Sequence, residues 1–235
     1  MGISLSKMET RAPDLVNLYK TAAVSLQKKG LQDAKAAVYL VLDHSGSMSG
    51  LYDDGTVQRF TEQVLALSAN LDDDGVVPVV FFHNWAYPAM NVTLGQHRGV
   101  INTLRAHHNV RWGGTSYAPA MTAVVNHYRM SGATDPALVI FETDGACNDE
   151  GETKKALKSY SSLKINWQFV GFGEHTSSEF RFLRKLDELR GRTVDNAGFF
   201  GTQNNGQWLT DTELYDNVTG EFATWRTNAR AAGIL

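Results

Sequence analysis

One cysteine in 235 residues, Cys147, cannot close an internal disulfide, so the chain needs no oxidising compartment. A basic excess is missing too: 22 Lys and Arg stand against 25 Asp and Glu, a net charge of -3, which argues against a nucleic-acid partner. No apolar run reaches the roughly 18 residues that a membrane helix requires, and Met1 to Lys7 holds no signal-peptide core. A cytoplasmic protein with no membrane span is the expectation. Signatures of nucleotide and serine-hydrolase chemistry are also lacking. There is no phosphate-binding G-x-x-x-x-G-K-[ST] loop, Gly171-Phe172-Gly173 lacks the third glycine of a dinucleotide fingerprint, and Gly46 to Gly50 is not G-x-S-x-G.

What is present is ordinary globular material, 43% hydrophobic and 20% charged, enough for one large domain with an appendage. Residues 1 to 10 read as irregular. Leu15, Leu18, Tyr19, Ala22 and Leu26 then recur at helical spacing, giving an N-terminal helical extension over 1–36 ahead of a main domain over 37–235. In that domain Ala36 to Leu42, Val76 to Phe82, Ala137 to Phe141, Ile165 to Phe172 and Ala197 to Phe200 read as buried strands, with Tyr87 to Thr93 a poorer edge strand. Helical stripes separate them, and a closing helix runs from Thr210 to Ala232. Strands alternating with helices predict a doubly wound α/β fold, a mostly parallel sheet with helices on both faces.

In open α/β sheets ligands gather at the carboxyl ends of strands. Three loops expected at that edge concentrate oxygen donors: Asp43, Ser45 and Ser47 after the first strand, Thr115 in a glycine loop, and Asp144 after a later strand. The set contains no thiol or imidazole, so it suits a hard divalent cation, Mg²⁺ or Mn²⁺ before Zn²⁺, with Ca²⁺ also possible. Two carboxylates leave such an ion near neutral, with a position that a partner's Asp or Glu can fill. Gly46, Gly113, Gly114 and Gly145 are expected to let the backbone turn sharply and approach the ion.

Asp43-His44-Ser45-Gly46-Ser47, Thr115 and Thr143-Asp144-Gly145, in that order, resemble the metal-ion-dependent adhesion site of a von Willebrand factor A (vWA) domain. The resemblance covers most of the chain. It implies that Ser45 and Ser47 ligate the ion directly, that Thr115 does so when a ligand is bound, and that Asp43 and Asp144 act largely through water. The loop's style and the opening Gly2 to Lys7 are similar to intracellular bacterial members that accompany tellurium and toxic-cation resistance clusters. That implies a scaffold in a stress-response complex.

The function expected is therefore cation-dependent protein binding without catalysis. His44, Met48, Tyr52, Trp112, Tyr117 and Cys147 are the expected rim that reads the partner. Two other readings stand beside this one. Asp43 could be the nucleophile of an Mg²⁺-dependent phosphoryl-transfer enzyme, although Ser45 replaces the carboxylate such an enzyme needs two residues on. Alternatively, the domain is structural and its site vestigial. Cys147 has no neighbouring cation in sequence to activate it. Asp72-Asp73-Asp74-Gly75 reads as a solvated turn, because it lacks the spacing of a calcium loop.

Overall fold

Five β-branched or aromatic-rich runs form the parallel body of one sheet in the computed structural model, which describes residues 2–235. In chain order the strands are β1 (Ala37–Asp43), β2 (Val76–Phe82), β3 (Met90–Thr93), β4 (Ala137–Thr143), β5 (Ile165–Glu174), β6 (Ala197–Asn204) and β7 (Gln207–Trp208). They are ordered β3-β2-β1-β4-β5-β6-β7. β1, β2, β4, β5 and β6 pair in parallel, while β3 and β7 pair antiparallel with β2 and β6 at the two edges. The doubly wound sheet expected from the sequence is the observed architecture. Pro78 sits in β2 opposite Asn91 of the edge strand.

Helices cover both faces. On one lie α1 (Leu5–Arg11), α2 (Val16–Lys28), α3 (Ser49–Asp53), α4 (Thr56–Leu71), α5 (Val100–His107) and α9 (Asp211–Ala231); on the other lie α6 (Tyr117–Ser131), α7 (Glu150–Ser159) and α8 (Arg181–Asp187). Strand alternation divides the core accordingly. Leu40, Leu42 and Ile140 face α4 and α9, whereas Val41, Val139 and Phe141 face α6. Burying such side chains on both faces of the sheet is the main stabilising term, at roughly 1.5–3 kcal/mol for each large aliphatic.

The N-terminal segment departs from expectation. Residues 5–11 form a helix, capped by Ser4 and buried only through Met8, and a single apolar contact leaves no periodicity to read. α2 packs on α4 and α9, and the Ile3 amide donates to the Ala69 carbonyl at 2.7 Å, so the segment shares the main core. The Asp72–Gly75 turn holds itself together, with the Asp74 carboxylate accepting from the Val76 amide at 2.7 Å.

Asp187, at the end of α8, is half-buried near Glu221 and Asp195, and burial leads these two in pushing its carboxyl up to about 6. In the unfolded chain the same group titrates near about 3.9. The folded form therefore keeps a proton that the unfolded form has lost, and stability falls as pH rises between those two values. Asp187→Asn should match the wild type near pH 4 and exceed it at neutral pH by about 1 kcal/mol, after discounting for residual solvent. Urea denaturation at both pH values measures this, and an equal difference at both would refute it.

Candidate functional site

The strand order reverses direction at β1, whose chain continues to β2 on one side while β4 lies on the other. Loops leaving the carboxyl ends of β1 and β4 start side by side at this switch point, the place where doubly wound sheets gather their ligands. Asp43 ends β1 and Thr143 ends β4, with Asp144 following, so the two carboxylates come from adjacent strands at this point.

The three expected loops are tied to one another. The first is joined to the second by a bridge between Ser45 and Gly113, with the Gly46 amide donating to the Gly113 carbonyl at 3.1 Å. The second is joined to the third by the Asn148 amide, which donates to the Thr115 carbonyl at 2.7 Å. The first is joined to the third by the Ser47 hydroxyl, which donates to Asp144 Oδ1 at 3.0 Å. Ser45 Oγ and Ser47 Oγ lie 3.2 Å apart. Asp43 is fully buried, its Oδ1 accepting from the Ser45 amide at 2.8 Å and its Oδ2 from the Thr143 hydroxyl at 2.6 Å. Burial pushes its carboxyl up to about 7 in spite of those donors. Asp144 is half-buried and also raised, chiefly by burial.

This donor set fits a small hard cation. Two ligands of Mg²⁺ at right angles, each about 2.1 Å from the ion, are about 3 Å apart. The Ser45–Ser47 and Ser47–Asp144 separations of 3.2 and 3.0 Å match such edges. Among the described residues no three His, Cys, Asp or Glu side chains converge as a ligand set, so any ion here depends on hydroxyl donors. Ser45, Ser47 and Asp144 would hold it, with Thr115 on the facing loop and Asp43 behind.

The expected rim divides. Trp112 is 41% exposed and Cys147 half-buried, whereas His44, Met48, Tyr52 and Tyr117 are buried and have no face to offer a partner. Met48 belongs to the apolar core, and the other three serve the loops. The Tyr52 hydroxyl donates to the Asp43 carbonyl at 2.9 Å, and that of Tyr117 donates to the Gly145 carbonyl at 2.7 Å. His44 stacks on Trp112 at 3.8 Å, donates from Nδ1 to the Arg111 carbonyl at 2.8 Å and accepts from Arg105 Nε at 2.8 Å. Burial holds its pKa down at about 4, so the ring is a neutral clasp between the first and second loops. Cys147 donates to Asp149 at 3.0 Å, and burial pushes its thiol up to about 12, which makes it unreactive.

The glycines do something other than expected. None of Gly46, Gly113, Gly114 and Gly145 has a positive φ. A Cβ at Gly113 would lie 2.7 Å from atoms of His83 and Asn84, and one at Gly114 would lie 2.8 Å from Asn148. These two glycines make room for neighbouring side chains.

Sequence reasoning missed four residues. Asp149 accepts from the amides of Tyr117 and Ala118 at 2.8 and 3.0 Å, capping α6 from a distant loop. Asn84 Oδ1 accepts from the Gly114 amide at 2.7 Å. The Arg105 guanidinium lies 4.5 Å over the Tyr52 ring and 4.7 Å over that of Trp112. Trp85, 56% exposed in the loop beside Asn84, joins Trp112 as surface aromatic area. Only the exposed tryptophans leave a trace in sequence, as large apolar residues inside polar loops.

A family model described as the vWA found in the TerF C terminus matches residues 35–235. The Bacillus subtilis (strain 168) uncharacterized protein YcbR is 34% identical over 222 residues, covering 92% of this chain and 88% of its own. Among solved structures, proximal thread matrix protein 1 from the mussel byssus has a TM-score of 0.54 at 13% identity, over 81% of this chain and 48% of that one. A von Willebrand factor type A protein from Catenulispora acidiphila has a TM-score of 0.52 at 15% identity, over 79% and 42%. The manganese-loaded Plasmodium vivax TRAP protein has a TM-score of 0.51 at 14% identity, over 79% and 72%. The chain spans less than half the length of the first two structures, and all three likenesses concern the fold alone.

Proposed function

The chain belongs to the vWA-TerF-like family, and on that premise we propose that it is a divalent-cation-dependent protein-binding module. Ser45, Ser47, Thr115 and Asp144 hold Mg²⁺ or Mn²⁺, Asp43 orients the first loop, and an Asp or Glu of the partner completes the ion. The observation that supports this best is the pair of separations near 3 Å among Ser45, Ser47 and Asp144 oxygens, on loops fastened by backbone hydrogen bonds. Charge-assisted coordination at the centre supplies affinity, and Trp112 and Trp85 at the edge supply selectivity. Mn²⁺ belongs among the ions because it takes the same carboxylate and hydroxyl donors as Mg²⁺.

We place the module in a cytoplasmic stress-response system of the tellurium-resistance type. Support comes from the family description, which names TerF, and from the lone cysteine. Among the described residues no helix is long and apolar enough to cross a membrane. We propose no catalytic role for Asp43, because both its oxygens already accept hydrogen bonds that fix it inside the fold.

If the ion presents an open position, a free carboxylate should take it. Calorimetric titration of Mg²⁺ into chelator-stripped protein should show affinity rising about fivefold or more in high acetate, with the reciprocal effect of Mg²⁺ on acetate. Equal affinity with and without acetate would overturn the carboxylate-bridged mechanism.

A further inference from the structure

A second polar site lies at the opposite edge of the sheet, where the chain enters β1. A pocket of about 210 Å³ is lined by Lys29, Asp33, Arg226 and Arg230 with small neighbours from the 30–34 turn and α9. Three cations and one carboxylate line it, with Asp216 near Lys29 and Asp135 near Arg226 just outside the lining. Lys28, next door, pairs with Asp216 at 3.4 Å, yet among the described residues none of Lys29, Arg226 and Arg230 lies within ion-pair distance of an acid.

Helix ends explain part of this crowding. Lys29 caps the C-terminus of α2 and Arg230 is in the last turn of α9, where the helix dipoles attract cations. Arg226 stands before that last turn, beyond the reach of the dipole. It is also anchored: Nη1 donates to the Lys35 carbonyl at 3.2 Å, and the guanidinium lies 5.5 Å over the Phe222 ring. Burial and the like charge of Arg230 press its pKa downward, and the charge of Asp135 offsets only part of this, so on balance the guanidinium is held in a place unfavourable to it. A Cβ at Gly220 would meet Lys29 Nζ at 3.6 Å, an ordinary contact, so the Lys29 ammonium lies alongside α9.

We propose that this pocket binds a phosphate-type dianion, with Arg226 and Arg230 offering guanidinium forks and Lys29 a point charge. The volume is below that of sites for drug-sized ligands, which suits an oxyanion or a phosphoryl group at the end of a larger carrier. The proposal is independent of the cation site.

Inorganic phosphate and O-phosphoserine, titrated calorimetrically into the whole chain with chelator present, should each bind at one site. Arg230→Gln changes an exposed side chain and should fold. It should weaken binding about tenfold or more, as should Lys29→Gln, and added salt should weaken it further. Ser45→Ala with Ser47→Ala should leave phosphate binding unchanged. Tighter binding of O-phosphoserine than of phosphate would identify a carried phosphoryl group as the ligand. No binding of either probe at millimolar concentration, or undiminished binding in both Arg230→Gln and Lys29→Gln, would overturn the proposal and leave the cations as dipole caps.

Discussion

Stripped of metal and titrated with Mg²⁺, the wild-type chain should bind one ion, and the double variant Ser45→Ala, Ser47→Ala should bind more than about a hundredfold more weakly, since even residues behind a metal's ligands are worth 10–100-fold. The variant should nevertheless fold. The bond from the Ser45 amide to Asp43 uses the backbone and survives, and Ser47 is exposed, so removing its hydroxyl leaves no buried group unpaired. What disappears is two of the oxygens that lie between Asp43 and Asp144; burial first, and the charge of Asp144 to a smaller extent, already raises the Asp43 carboxyl. Thermal unfolding provides a second readout. At a hundred times its dissociation constant, Mg²⁺ should stabilise the wild type by about 2.7 kcal/mol and the variant by almost nothing. Equal binding by both proteins would exclude Ser45 and Ser47 as ligands.

The alternation of strands and helices was legible because parallel strands buried on both faces become continuous apolar runs, as in Ala37–Asp43 and Ala137–Thr143. Loop chemistry at the carboxyl ends was legible for the same topological reason, and Asp43, Ser45, Ser47 and Asp144 meet by hydrogen bonds. The β6–β7 hairpin went unread although its signal was present. Asn205 and Gly206 both take positive φ, the preference of a tight two-residue turn. The rim misled because aromatic and Met residues near a site suggest a surface, while here His44, Tyr52 and Tyr117 brace the loops from below. Residue type does not distinguish those two uses; burial does. Asp149 was beyond reach for a different reason. Its helix-capping partners are 31 and 32 residues away in sequence.

Glu142→Leu should make the protein more stable, by about 2 kcal/mol, against the usual direction of core substitutions. Glu142 is fully buried one residue before Thr143, and neither of its oxygens has a hydrogen-bond partner among the described residues. It is level with Leu42 of β1 and Val170 of β5, inside the apolar face that α4 and α9 cover. Burial drives its carboxyl well above the usual range, and the charges of Asp43 and Asp144 add to that. Leucine has a similar volume and no polar atom to desolvate, so the substitution removes a cost without opening a cavity. The melting temperature should rise by about 4–8 °C for a chain of this size. Glu142→Gln should gain less, because its amide remains unpartnered in the same place. A fall in stability for Glu142→Leu would mean that the carboxyl has a partner, and a local rule broken this close to the proposed cation site is where such a partner is expected. The ordering Leu above Gln above Glu ties the effect to desolvation, and any other order refutes that cause.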